Sequence, residues 1–86
     1  MKIIIIRNYK IIFNNSKYIF DNNNNKFYFV GGFIEYIGKE ARNGQQFIIY
    51  NDTGKRAYDY PLAVPKYLDE KIKKIGISII KEAMKQ

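Results

Sequence analysis

Over residues 65–83 the apolar positions Leu68, Ile72, Ile75, Ile79 and Ala83 recur at steps of four, three, four and four, the period of a single helical face. Nothing before Pro61 keeps that period. Upstream, β-branched and aromatic residues come in short runs such as 3–6, 11–13 and 47–50, each cut off by Asn, Gly or a charge. Such runs favour strands. The chain is therefore expected to be α+β: a bent or partly closed antiparallel sheet of about five to seven short strands, then one amphipathic helix. The strands fall within residues 2–60, a linker framed by Pro61 and Pro65 follows, and the helix covers about 65–85. Pro65 suits a first helical turn, Asp69 and Glu70 lie near the positive end of the helix dipole, and lysines crowd the later turns. Eighty-six residues are enough for one domain with one modest core.

The strand readings are 3–7 and 9–13, either one bent strand or two meeting near Asn8; 17–21, with Tyr18 and Phe20 on one side; 26–30 and 33–37; 46–50 and 56–60. Asn14, Asn15 and Ser16 are turn formers, and the four asparagines 22–25 suit a loop that visits left-handed backbone angles. Gly31-Gly32 is either a bulge in one long strand or a hairpin corner. Pro61 and Pro65 cannot pair inside a sheet.

Catalysis is disfavoured by what the sequence lacks. There is no His and no Cys, hence no imidazole base, thiol nucleophile or soft metal ligand. The eight carboxylates show neither D-x-D nor E-x-x-E spacing, so no hard-cation site, cofactor or enzyme is expected. Gly54-Lys55 is not a phosphate loop: Ile49 stands where the first glycine is required, Arg56 follows the lysine, and the continuation is strand-like. The longest aliphatic run is four residues, ending at Arg7, too short for a signal core or a membrane span. An intracellular, cytoplasmic protein without a membrane partner is expected, and the N-x-S/T triplets at Asn14 and Asn51 are then chance matches.

Twelve Lys and three Arg against four Asp and four Glu give a net charge of +7. Lys, Ile and Asn are what AT-rich coding overuses, but so is Glu, which is scarce here. The basicity points to nucleic acid or another anionic surface. The stretch 51–60, NDTGKRAYDY, suits a hairpin turn running into a strand. A three-residue loop with Gly54 left-handed sets Tyr50 opposite Arg56, Ile48 opposite Tyr58 and Gln46 opposite Tyr60. Phe47, Ile49 and Ala57 then face the core, while Tyr50, Arg56, Tyr58 and Tyr60, with Lys55 beside them, form an outer face. A two-residue Thr53-Gly54 loop reverses this and sets Phe47 and Ile49 beside Tyr58 and Tyr60. The first arrangement is favoured, because Arg56 is costly to bury without a partner.

On the helix, Ile77, Ile80 and Met84 lie off the main stripe. They are covered either by the N-terminal strand or a loop, or by a second copy in a two-fold dimer seam. The order of strands, Gly-containing hairpin, Pro-containing linker and basic helix resembles, over about residues 26–86, the plan of small archaeal chromatin proteins and of the transcriptional coactivator fold that binds single strands. The short, Asn-heavy composition also resembles products of phages and mobile elements, some of them inhibitors that occlude a partner. The expected function is non-enzymatic binding, with nucleic acid held by the Tyr/Arg/Lys face with little sequence preference. The alternative is a protein-binding module or inhibitor.

Overall fold

The computed structural model describes residues 1–50, 56–58 and 64–85. Six strands precede one helix: β1 (Lys2–Ile6), β2 (Tyr9–Phe13), β3 (Lys17–Phe20), β4 (Lys26–Tyr36), β5 (Gln45–Tyr50), β6 (Arg56–Tyr58) and α1 (Lys66–Met84). The sheet is antiparallel and partly open, in the order β1-β2-β4-β5-β6, with β3 also paired to β4. The α+β expectation holds. Residues 59–63, which carry most of the Pro-framed linker, lie outside the described residues, and Pro65 is the N-cap of α1.

The N-terminal residues form two strands and not one bent strand. Ile6 pairs with Tyr9, and the reversal is made at Arg7, whose φ is 52°, a left-handed angle uncommon outside glycine. The Arg7 guanidinium lies 4.3 Å from the ring centre of Tyr67, which ties this turn to the start of the helix.

β4 is the spine of the sheet. The glycine pair sits inside its eleven residues, neither bulged nor turned. Gly32 pairs with Phe13 on one side and Phe47 on the other, and those two rings meet edge-on with centroids 5.4 Å apart. A Cβ at Gly32 would run into the Phe47 ring and the Ile12 carbonyl. The bulge belongs to the neighbouring strand: Phe13 opposes Gly32 and Lys17 opposes Phe29, four steps against three, with residues 14–16 absorbing the extra one. Ser16 Oγ donates to the Phe29 carbonyl across this offset, at 3.0 Å.

α1 covers one sheet face. Its buried residues, Leu68, Ile72, Gly76 and Ile80, join Ile11, Phe13, Val30, Ile34, Phe47 and Ile49 in one core. At Gly76 the helix comes so close that a Cβ would strike Ile49 Cδ1. Four-residue steps advance about 400° at 3.6 residues per turn, so this buried row winds around the helix by roughly 40° per step. A helix lying on a twisted sheet needs such a row. Ile75 and Ile79, expected at the centre of the stripe, flank it half-buried. The proposed dimer seam is corrected here: Ile80 is 1% exposed and belongs to the core, Ile77 packs against that core, and only Met84 is exposed. No helix among the described residues is long and apolar enough to cross a membrane.

Candidate nucleic-acid interface

The β5–β6 hairpin does not form the expected outer face. Ile49 pairs with Arg56, Ile48 with Ala57 and Phe47 with Tyr58, one residue away from the favoured register. That slip exchanges faces. Arg56 shares the helix side with Ile49, Ala57 is exposed on the other side, and Tyr50 stays with Ile48 on the outer face, half-buried and opposite Phe29. The partner that a buried arginine requires is supplied by α1. Arg56 Nη1 is ion-paired with the Asp69 carboxylate, with side-chain exposures of 22% and 28%, and it also donates to the Asp69 carbonyl at 2.9 Å. Lys55 and Tyr60 lie outside the described residues, and of Tyr58 only the backbone pairing is described. Tyr50 and Arg56 therefore point away from each other, and Arg56 serves the helix–sheet contact.

Aromatic residues and a lysine do converge, but on a different hairpin. β3 and β4 run past the bulge as an arm in which Tyr18 pairs with Tyr28 and Phe20 with Lys26. These four share the sheet face that carries Val30 and Ile34, the helix side. Tyr28 packs at the edge of the core, whereas Tyr18 and Phe20 are 51% and 59% exposed. The rings are close: Tyr18 lies 5.7 Å from Phe20, edge-on, and 5.7 Å from Tyr28, tilted. Lys26 Nζ sits 4.0 Å above the Tyr18 ring and 5.1 Å from that of Tyr28. Its ammonium is held protonated to higher pH than an ordinary lysine, first by a hydrogen bond with the Tyr28 side chain.

The tip of the arm explains why the sequence turns here. The Asp21 carboxylate accepts from the Asn23 and Asn25 backbone N–H groups at 2.8 Å each and from Asn25 Nδ2 at 3.2 Å. Asn24 takes the left-handed angle, φ 63°, which asparagine tolerates. These bonds, that from the Asn25 backbone foremost, hold the Asp21 pKa below the usual carboxylate value. Sequence alternation had put Tyr18 and Phe20 on one side of a strand. What it did not show was the register that brings Lys26 and Tyr28 to the same side.

A second feature is a cavity of about 60 Å³ lined by Tyr9, Ile34, Tyr36, Arg42, Asn43, Gln45 and Val64. Arg42 stacks 4.4 Å from the Tyr36 ring centre, and Tyr9 meets Tyr36 edge-on at 5.7 Å. Gln45 is 2% exposed, and neither of its amide atoms has a hydrogen-bond partner among the described residues. A cavity of this size holds a few waters, which would satisfy that amide. Among the described residues no three His, Cys, Asp or Glu side chains come together.

Comparison with protein-family models, with curated proteins and with solved structures finds no match.

Proposed function

We propose that this protein binds single-stranded nucleic acid with little sequence preference, through the β3–β4 arm and the lysine-rich flank of α1, and that it acts by binding without catalysis. The observation that carries this is the exposed pair Tyr18 and Phe20, backed by half-buried Tyr28, with Lys26 over the Tyr18 and Tyr28 rings. Flat rings accept stacked bases of any sequence, and an ammonium beside them exchanges a ring contact for a phosphate. The helix lies on the same side of the sheet and carries exposed Lys66, Lys71, Lys74, Lys81 and Lys85. The net charge of +7 adds a general attraction to a polyanion.

The test is fluorescence anisotropy with labelled single-stranded and double-stranded oligonucleotides at two salt concentrations. Single strands should bind more tightly than duplex, log affinity should fall linearly with log salt, and Tyr18→Ala should weaken binding by about 1–3 kcal/mol per stacked base. Equal, featureless binding of both forms, unchanged by Tyr18→Ala, would contradict the proposal and favour a protein partner.

A further inference from the structure

A sheet covered on one face reads as alternating apolar and polar residues, whereas a sheet buried on both reads as continuous apolar runs. This chain has the second pattern: IIII in β1, IIF in β2, FYFVGGFI in β4 and FIIY in β5. Yet α1 covers one face only. On the other face the register builds a continuous row from Ile3 to Ile12 to Phe33, with Ile5 beyond it and Phe29 and Ile48 on the adjacent strand positions. Ile5, Ile3 and Phe33 are 65%, 49% and 37% exposed.

We infer that this outer sheet face is the interface with a second copy of the chain, packed sheet on sheet about a two-fold axis. Three observations favour a copy of itself over an unrelated partner. First, projecting and receiving elements lie on the same face. Ile3 and Ile5 project, the Phe33 ring lies over Gly44, and Gly31 opens a hollow of about 270 Å³ bordered by Phe29, Phe33 and Ile48, with Asn14 and Gln46 at its rim. An isologous contact requires that self-complementarity. Second, the charges match. Lys10 and Glu35 are cross-strand neighbours on this face, so a two-fold axis near them sets each Lys10 against the other copy's Glu35. The exposed helix lysines of both copies then point outward on opposite sides. Third, there is room: molecular extents of 47 and 24 Å cap any flat face at roughly 1,100 Å², above the about 800 Å² per partner of a standard interface. Sheets stacked in this way form sandwiches whose facing side chains interdigitate. This inference is independent of nucleic-acid binding, since the arm rings lie on the helix side.

The test is sedimentation equilibrium of the whole chain from low to high micromolar concentration in 0.1 M and 0.5 M salt, where nucleic-acid binding would weaken steeply and this mainly apolar pairing only slightly. The wild type should show twice the 10.2 kDa chain mass at both salts. Phe33→Glu and, separately, Ile5→Glu should raise the dimer dissociation constant by about 100-fold or more while leaving far-UV circular dichroism unchanged. Met84→Glu, on the exposed helix end, should leave the dimer intact. Glu35→Lys should weaken it, and Lys10→Glu combined with Glu35→Lys should restore it. A wild-type monomer at every concentration would overturn the inference. So would a dimer that Met84→Glu breaks and the two outer-face variants, folded by dichroism, leave whole.

Discussion

Replacing Arg56 by Met separates the two roles that this residue was open to. As a phosphate ligand on an open face, Arg56 would contribute little to stability, and its loss would lower the salt dependence of nucleic-acid binding by about one unit of slope. The structure gives it a different task. Its guanidinium pairs with the Asp69 carboxylate and donates to the Asp69 carbonyl, with less than a third of either side chain exposed. Hydrogen bonds to charged groups contribute about 1.5–3 kcal/mol each, and a carboxylate left half-buried without its partner adds a desolvation cost. A loss of about 2 kcal/mol is a conservative expectation, which lowers the midpoint of thermal unfolding by roughly 8–16 °C for a chain of this length. The assay is a double-mutant cycle in urea with Arg56→Met, Asp69→Asn and both together. A coupling energy of about 1 kcal/mol or more is expected, with the salt slope of oligonucleotide binding unchanged in the folded Arg56→Met variant. Stability within about 0.5 kcal/mol of wild type, together with a reduced salt slope, would refute the reasoning.

Ile80→Ala should cost about 2–5 kcal/mol, as for other aliphatic side chains removed from a core, measured by chemical denaturation. A near-neutral effect would place Ile80 on a surface after all. Asp21 should titrate below the ordinary carboxylate value, because the loop N–H groups bind its ionised form. These hydrogen bonds support the arm tip fully above that ordinary value and lose that support as the pH falls through the lowered one. An NMR titration of the Asp21 carboxyl carbon reads this directly, and a midpoint at or above the ordinary carboxylate value counts against the loop geometry.

The fold class was legible because two different periods occupy the two parts of the chain, and period is set by backbone geometry. Helix extent was legible too: the expected 65–85 compares with Lys66–Met84. Which helix residues are buried was not. A straight stripe through Ile75 and Ile79 ignores the twist of the surface beneath, and the winding row instead ends on Ile80. The candidate site failed on register. Turn residues 51–55 gave a reasonable loop length, but the strands pair as Ile49 with Arg56, and one residue of offset exchanges faces. Arg56, largely shielded from water, does have the partner that its burial requires. Its partner, Asp69, lies thirteen residues away on another element, where no local pattern points to it. The arm was half legible. Tyr18 and Phe20 showed their alternation, whereas bringing Lys26 and Tyr28 beside them depended on the bulge at 14–16, which shifts the pairing by one residue.

The central claim is that the arm, and not the β5–β6 hairpin, receives a single strand. Amide chemical-shift mapping on isotope-labelled protein, titrated with a short oligonucleotide of mixed sequence, tests it residue by residue. Shifts concentrated at residues 17–28, with smaller ones along the lysine flank of the helix, are the predicted result. Shifts confined to residues 45–50 and 56–58 with the arm unmoved, or none anywhere at saturating oligonucleotide, would contradict it.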